Sequence, residues 1–229
     1  MRKICIIPAR GGSKRIPHKN IIDFCGKPLI WWTIEAALQS GIFDSIYVST
    51  DDGLIADACS KFPIEILLRN GYSDDQTTVQ QATINTIKQI VVDRRQKFDM
   101  VIQLMATCPL RTATDVKLAY ENFIAIGSKF QLSFAEFEDI PYWAVMMVNG
   151  KPKPLFKKQI KMRSQDLPKL YYPTGAIWIA DIPELIRQGT FYGKGYDMYE
   201  ISAENGMDID TFKDLEKARL IMEGRNDKK

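Results

Sequence analysis

The amino-acid sequence predicts an α/β protein, a Rossmann-like three-layer αβα sandwich built on a mainly parallel sheet. Three observations predict it. Short apolar runs alternate with amphipathic helical stretches, the pattern of successive right-handed β-α-β crossovers. The first run, Lys3–Pro8 (KICIIP), is almost continuously apolar, as a strand buried on both faces must be. With 229 residues, 45% of them hydrophobic, the chain can bury a core of that size without a disulfide or a metal.

The elements follow in order. A loop, Ala9–Asn20, leaves the first predicted strand. Pro28–Gln39 reads as a helix, because Leu29, Ile30, Ile34, Ala37 and Leu38 recur near helical spacing and Gly41 stands just past the end. Ser45–Ser49 reads as a strand and Asp51–Lys61 as a helix; Ile64–Leu68 as a strand and Thr78–Arg94 as a long helix; Met100–Met105 as a strand and Ala113–Ile126 as a helix. The rhythm changes near residue 130. Gln131–Phe137 still reads as a strand, but Ile140–Lys169 holds four prolines and seven Lys or Arg residues. Residues 138–172 are therefore expected to leave the sheet as an arm, the main domain comprising residues 1–137 and 173–224. Ala176–Ala180, Ile182–Arg187, Met198–Ile201 and a closing helix at Thr211–Glu223 restore the regularity, and 225–229 should be a frayed tail.

Composition excludes several classes. No apolar run approaches the ~18 residues a membrane helix needs. The Ile-rich segment after Met1-Arg2-Lys3 is too short for a signal-peptide core, so a cytoplasmic chain without a membrane partner is expected. Cys5, Cys25, Cys59 and Cys108 lie far apart with no Cys-x-x-Cys pair, which argues against a disulfide framework or a structural zinc site. His18 is the single histidine, leaving little room for a His-based metal centre or catalytic triad. The net charge of +3 does not call for nucleic acid.

The charge distribution is more informative. Residues 1–30 carry Arg2, Lys3, Arg10, Lys14, Arg15, Lys19 and Lys27 against the single acid Asp23. The loop after the first strand starts where open α/β sheets bind ligands. Within it, Gly11 and Gly12 let backbone N–H groups approach a phosphate closely. Arg10 offers a fork for phosphate oxygens, Lys14 and Lys19 offer point charges, and Asn20 both donates and accepts. Neither the Walker pattern nor the Gly-x-Gly-x-x-Gly fingerprint occurs. A polyphosphate is the expected ligand.

Ile7-Pro8-Ala9-Arg10-Gly11-Gly12-Ser13-Lys14-Arg15-Ile16-Pro17, then Lys19-Asn20 and Phe24-Cys25-Gly26-Lys27-Pro28-Leu29-Ile30, resembles the opening of the acylneuraminate cytidylyltransferases. Those enzymes make CMP-activated nonulosonic (sialic-type) acids from CTP for cell-surface glycans. Val48-Ser49-Thr50-Asp51-Asp52, Arg163-Ser164-Gln165-Asp166-Leu167-Pro168, Gly175-Ala176-Ile177-Trp178-Ile179 and Met207-Asp208-Ile209-Asp210-Thr211 continue the resemblance in family order. It implies a nucleotide-diphospho-sugar transferase type of fold, a homodimer, and a small dimerisation arm at 138–172 reaching over the partner's active site.

Residue by residue, the resemblance places Ala9, Arg10, Gly11, Gly12, Ser13, Lys14, Lys19 and Asn20 around the triphosphate and ribose of CTP. It places Arg69, and less directly Thr77, at the cytosine. Arg163 and Gln165 would line the acceptor-sugar pocket, with Tyr171 and Tyr172 in its wall, the Arg163 fork meeting the sugar carboxylate. Asp208 and Asp210 flank Ile209, so on an extended segment both carboxylates face one side. Two hard oxygen ligands beside a polyphosphate suit Mg2+, with Mn2+ as a substitute; a capping role before the final helix would explain one acid but not the pair. The sequence also departs from the family. Leu104-Met105-Ala106-Thr107-Cys108-Pro109-Leu110-Arg111 puts Met105 where the family has a sugar-contacting glutamine, with Gln103 two residues earlier. The exchange points to a less hydroxylated, deoxy sugar.

The implied reaction joins CTP and a nonulosonic acid into the CMP-sugar and pyrophosphate, with Arg10, Lys14, Lys19, Asp208 and Asp210 as catalytic residues. The alternatives are a KDO-type cytidylyltransferase, another sugar nucleotidyltransferase, and a non-catalytic nucleotide-binding module. The first lacks a separate Lys-Asn, the second favours a Gly-x-Gly-Thr-Arg loop, and the third should show a damaged acid pair; this sequence has Lys19-Asn20, lacks the Gly-x-Gly loop and keeps both acids.

Overall fold

In the computed structural model, which describes residues 1–69, 78–93 and 95–226, the predicted sandwich forms around a seven-stranded sheet. In chain order come β1 (Lys3–Ala9), the two-residue pair β2 (Asp23–Phe24) and β3 (Lys27–Pro28), α1 (Leu29–Ser40), β4 (Ser45–Thr50), α2 (Gly53–Cys59) and β5 (Glu65–Leu68). α3 (Val79–Lys88) runs on into a π-helical turn at Gln89–Asp93, and is followed by β6 (Met100–Gln103), α4 (Ala113–Ile126) and β7 (Phe130–Glu136). A hairpin of β8 (Val145–Val148) and β9 (Lys151–Pro154) precedes β10 (Tyr171–Asp181), α5 (Ile182–Gln188), β11 (Asp197–Glu200) and α6 (Phe212–Asn226).

The sheet order is β11-β7-β10-β6-β1-β4-β5. β10 runs antiparallel to both neighbours, and the remaining pairs are parallel. β1 lies inside the sheet between β6 and β4, with helices packed on both faces, which explains its unbroken apolar run. Cys5, Ile7 and Ala9 turn to one face and pack with Ile30, Ile34 and Ala37 of α1 and Val116, Ala119 and Phe123 of α4. Ile4 and Ile6 turn to the other face and meet Ile84 and Ile87 of α3 and Leu185 of α5. The two-residue side-chain period of a strand thus feeds two separate cores.

Caps set the helix ends. Asp52 accepts from Leu54 and Ile55 at the start of α2, so that helix opens later than the predicted Asp51. Thr112 and Asp115 close a capping box on α4. α6 passes the predicted Glu223 and reaches Asn226, because Arg225 donates to the Leu110 carbonyl at 2.8 Å. Of the predicted tail, 227–229 lie outside the described residues.

The predicted strand Ala176–Ala180 begins five residues early, at Tyr171. Pro173 and Gly175 conceal it in the sequence, and the register with β7 shifts between Pro173 and Trp178, as at a bulge. The irregular segment before it holds the β8–β9 hairpin, closed by Asn149 and Gly150, both with positive φ. Trp143, Met146 and Met147 lie exposed there.

Candidate active site

Two isolated isoleucines bring distant charges together. Ile16 stands in the cationic loop and Ile209 between the two acids, and both are fully buried in one cluster with Phe24, Leu29, Leu215 and Ala218. Burying these two side chains aims their charged neighbours at a common space. Lys19 Nζ donates to the Ile209 carbonyl at 2.7 Å and to Asp210 Oδ1 at 2.9 Å. Arg15 also pairs with Asp210 Oδ1, at 2.8 Å.

The space is a cleft of about 630 Å3 at the carboxyl end of β1. From the first loop, Ala9, Arg10, Ser13, Lys14, Lys19 and Asn20 line it; from the strand ends, Arg69 and Met105; from the segment before α6, Asp208 and Asp210. Gly11 and Gly12 do not. Gly11 donates its N–H to Asp51 Oδ1 at 2.9 Å, so that amide is engaged within the protein, and a Cβ at Gly11 would overlap the Asp52 carboxylate. Its lack of a side chain therefore serves close packing against the β4–α2 turn. Asn20 is buried and donates to the Arg10 carbonyl at 2.9 Å, pinning the loop to itself. Arg69 lies 3.8 Å from Asp51, which links the loop and the β5 end through one carboxylate. Thr77 lies outside the described residues.

Asp208 differs from its neighbour. Its Oδ1 is buried without a hydrogen-bond partner. Burial pushes its carboxyl above the ordinary carboxylate range; Asp210 adds to the shift, while the nearby Thr107 hydroxyl opposes it without closing a hydrogen bond of normal geometry. Thr107 in turn accepts the Ile209 N–H on its carbonyl at 2.9 Å. No group of three or more metal-type ligands forms among the described residues, so Asp208 and Asp210 stand as a pair.

A second cavity, of about 450 Å3, lies on the other side of Asp208, which lines both. Tyr172, Gly175, Asp214 and Lys217 contribute to its wall. The Met105 side chain lies against Gly175, where a Cβ would overlap its sulfur, so this contact sits between the two cavities. The other residues predicted for the sugar lie elsewhere within the chain. Gln103 is fully buried in β6, accepting from Thr83 at 2.7 Å. Arg163 and Gln165 lie on the exposed arm, Arg163 bonded to Asp166 at 2.8 Å. Tyr171 pairs with Glu136 at the β10 edge, and its neighbour Tyr172 lines the second cavity. Arg15, Asp51 and Thr107 stand within stretches that carry the family resemblance, but the resemblance gives none of them a site role. Arg15 sits within the basic run and had a legible signal; Asp51 and Thr107 act through contacts that only the fold creates.

A sheet of this topology, with a cationic loop after the interior strand β1 and an acid pair facing that loop, is an arrangement that suits a nucleotidyltransferase. Residues 4–149 match the cytidylyltransferase family profile. A pseudaminic acid cytidylyltransferase of Campylobacter jejuni is 39% identical over 96% of each chain. The chain belongs to the cytidylyltransferase family. An N-acylneuraminate cytidylyltransferase of Streptococcus agalactiae is 34% identical over 94% of this chain and 52% of its own. A CMP-N,N'-diacetyllegionaminic acid synthase of Legionella pneumophila is 32% identical over 97% of each. Among solved structures, CMP:2-keto-3-deoxy-manno-octonic acid synthetase complexed with CTP shares the fold with a TM-score of 0.73, at 19% identity over 98% of this chain and 100% of that one.

Proposed function

We propose that the enzyme transfers the cytidylyl group of CTP to a nonulosonic acid, giving the CMP-sugar and pyrophosphate. The observation that carries this reading is the bridge from Lys19 to Asp210, which joins the cationic loop and the acid pair into one wall of a cleft beside a second cavity. The relatives that match over nearly the whole length of both chains act, by their names, on pseudaminic and N,N'-diacetyllegionaminic acids, and the one that matches 94% of this chain but half of its own acts on N-acylneuraminate. The apolar Met105 between the cavities suits a deoxy member of that class.

In this reading CTP lies in the larger cleft, its phosphates toward Arg10, Ser13 and Lys14 and its base toward Arg69. The acceptor lies in the second cavity, so that its anomeric hydroxyl meets the α-phosphorus near Asp208. That hydroxyl attacks in line and pyrophosphate leaves on the opposite side. The protein acts by positioning and by stabilising charge, not by forming a covalent bond. Arg10 and Lys14 offset the charge that builds on the leaving pyrophosphate. Lys19 holds the acidic segment in place while its own charge faces the cleft.

The residues fit a divalent cation. Asp208 presents a buried oxygen without a partner, Asp210 faces the same side, and both are hard oxygen donors. Asp208 and Asp210 would hold Mg2+ or Mn2+, which would polarise the α-phosphate and lower the pKa of the attacking hydroxyl. Arg15, now on Asp210, would yield that oxygen.

We further propose that residues 138–172, the last two of which already belong to β10, form a dimerisation arm and that the enzyme works as a homodimer in the cytoplasm. Trp143, Met146, Met147 and Leu155, on or beside the β8–β9 hairpin, are all exposed, and a cluster of large apolar side chains in so short a segment suits an interface. In such a dimer Arg163 and Gln165 would reach the partner's second cavity, which is otherwise lined by several carboxylates and the single cation Lys217. Pyrophosphate release from CTP with pseudaminic, legionaminic and neuraminic acids tests the reaction and its acceptor together. Release with one of them supports the reading, and release with none refutes it.

A further inference from the structure

Arg111 is buried almost completely, yet among the described residues no carboxylate pairs with it. The two terminal nitrogens of its guanidinium donate to neutral groups from three parts of the fold. Nη1 donates to the Ala176 carbonyl of β10 at 2.6 Å and, more weakly, to the Met105 carbonyl at 3.4 Å. Nη2 donates to Thr33 Oγ1 of α1 at 2.8 Å, and Nε has no partner. The Thr33 hydroxyl in turn donates to the carbonyls of Met105 and Ala106, sharing its one O–H between them at 3.3 and 3.4 Å. Burying an unpaired cation is costly, and core packing alone would be met by an apolar side chain.

What the guanidinium holds is the turn after β6, residues 104–109. That turn supplies Met105, Ala106 and Thr107 to the floor of the larger cleft. It is also fixed to β10 by the Met105 N–H, which donates to the Gly175 carbonyl at 3.3 Å. From its far side the Thr107 carbonyl accepts the N–H of Ile209, the residue between the two acids. A path of contacts therefore runs from Arg111 through the turn to the backbone that carries Asp208 and Asp210. A planar fork reaches acceptors in several directions at once, which a lysine ammonium on a flexible stem cannot reproduce.

We infer that Arg111 is a positioning residue for nucleotidyl transfer, holding the 104–109 turn so that Thr107 can fix the acid pair beside the cleft. This rests on the reading of the cleft as the site of transfer.

Two variants test it. Arg111→Lys keeps the charge and loses the fork; Thr33→Val keeps the arginine and removes one acceptor. The expected result for Arg111→Lys is a kcat at least tenfold lower with a KM for CTP changed less than about threefold, because the phosphate-facing cations belong to another loop. Hydrogen exchange should quicken about tenfold or more at the amides of Ile209 and Met105, with β1 and β4 amides unchanged. Thr33→Val should show the same pattern more weakly, and it decides the question if Arg111→Lys does not fold. An unchanged kcat in a folded variant, or faster exchange spread evenly over the sheet, overturns the inference. If the wild-type protein releases no pyrophosphate with any acceptor, the proposed reaction fails instead, and the exchange measurement alone still decides whether Arg111 holds the acid pair.

Discussion

Lys19 Nζ lies 2.9 Å from Asp210 Oδ1, although 191 positions separate the two residues in the chain. The same nitrogen donates to the Ile209 carbonyl at 2.7 Å, so Lys19 fixes both the backbone and one carboxylate of the acidic segment. It is mostly shielded from solvent, with 13% of its side chain exposed.

Lys19→Met removes the cation and keeps most of the apolar stem. The expected outcome is a loss of about 1–3 kcal/mol, the cost of leaving the partly buried Ile209 carbonyl without its donor and the Asp210 carboxylate with Arg15 alone. Turnover should fall at least tenfold. Urea melts and a pyrophosphate-release assay check the two effects, and a variant unchanged in both would remove the bridge from the mechanism.

Asp208→Asn separates stability from activity. A carboxyl whose folded pKa is raised contributes stability only below its ordinary pKa, and that contribution is lost as pH rises through the raised value. At neutral pH the Asp208 carboxyl therefore weighs against folding. The asparagine variant, without metal at pH 7, should melt higher, by about 2–4 °C for each kcal/mol relieved, and should show little or no turnover. The gain should shrink as pH falls toward the ordinary carboxylate range. A lower melting point at pH 7 would contradict the assignment.

Gly175→Ala places a methyl group where Met105 now lies. Met105 must then swing away, and both cavities change shape. Overpacking of this kind costs about 1–3 kcal/mol. The expected readouts are a raised KM for both substrates and partial recovery on adding Met105→Ala. Absence of recovery in the double variant would show that the two residues do not share the partition between the cavities.

Met147→Glu addresses the arm. Met147 is 66% exposed in the single chain. If the β8–β9 hairpin docks on a second copy, a carboxylate there should shift the protein from dimer to monomer by light scattering, with turnover falling in parallel. A wild-type protein that is already monomeric would exclude the proposed dimer.

Much of the fold was legible because the central strand had to be. Ile4, Cys5, Ile6 and Ile7 are buried on alternating faces, and that requirement shows in the sequence as an unbroken apolar run. β10 was only half legible, since Pro173 and Gly175 interrupt its strand pattern and its first residues pair beyond a register shift. In the site, the basic loop and the acid pair stood out by composition, and most of their members do line one cleft. The engagement of the Gly11 amide by Asp51 and the burial of Gln103 against Thr83 depend on long-range placement, as does which of the adjacent Tyr171 and Tyr172 reaches the second cavity. No local pattern encodes those contacts. The buried Arg111 is the clearest case, because its sequence neighbours, Leu110 and Thr112, say nothing of the three elements it joins.

A crystal structure with CTP and Mn2+ bound tests the central claim most directly, because the anomalous signal of manganese marks the cation independently of the nucleotide. The account predicts the triphosphate against Arg10 and Lys14, with manganese on Asp208 and Asp210 beside the α-phosphate. A triphosphate bound away from the cationic loop, or manganese bound without either carboxylate, would contradict it.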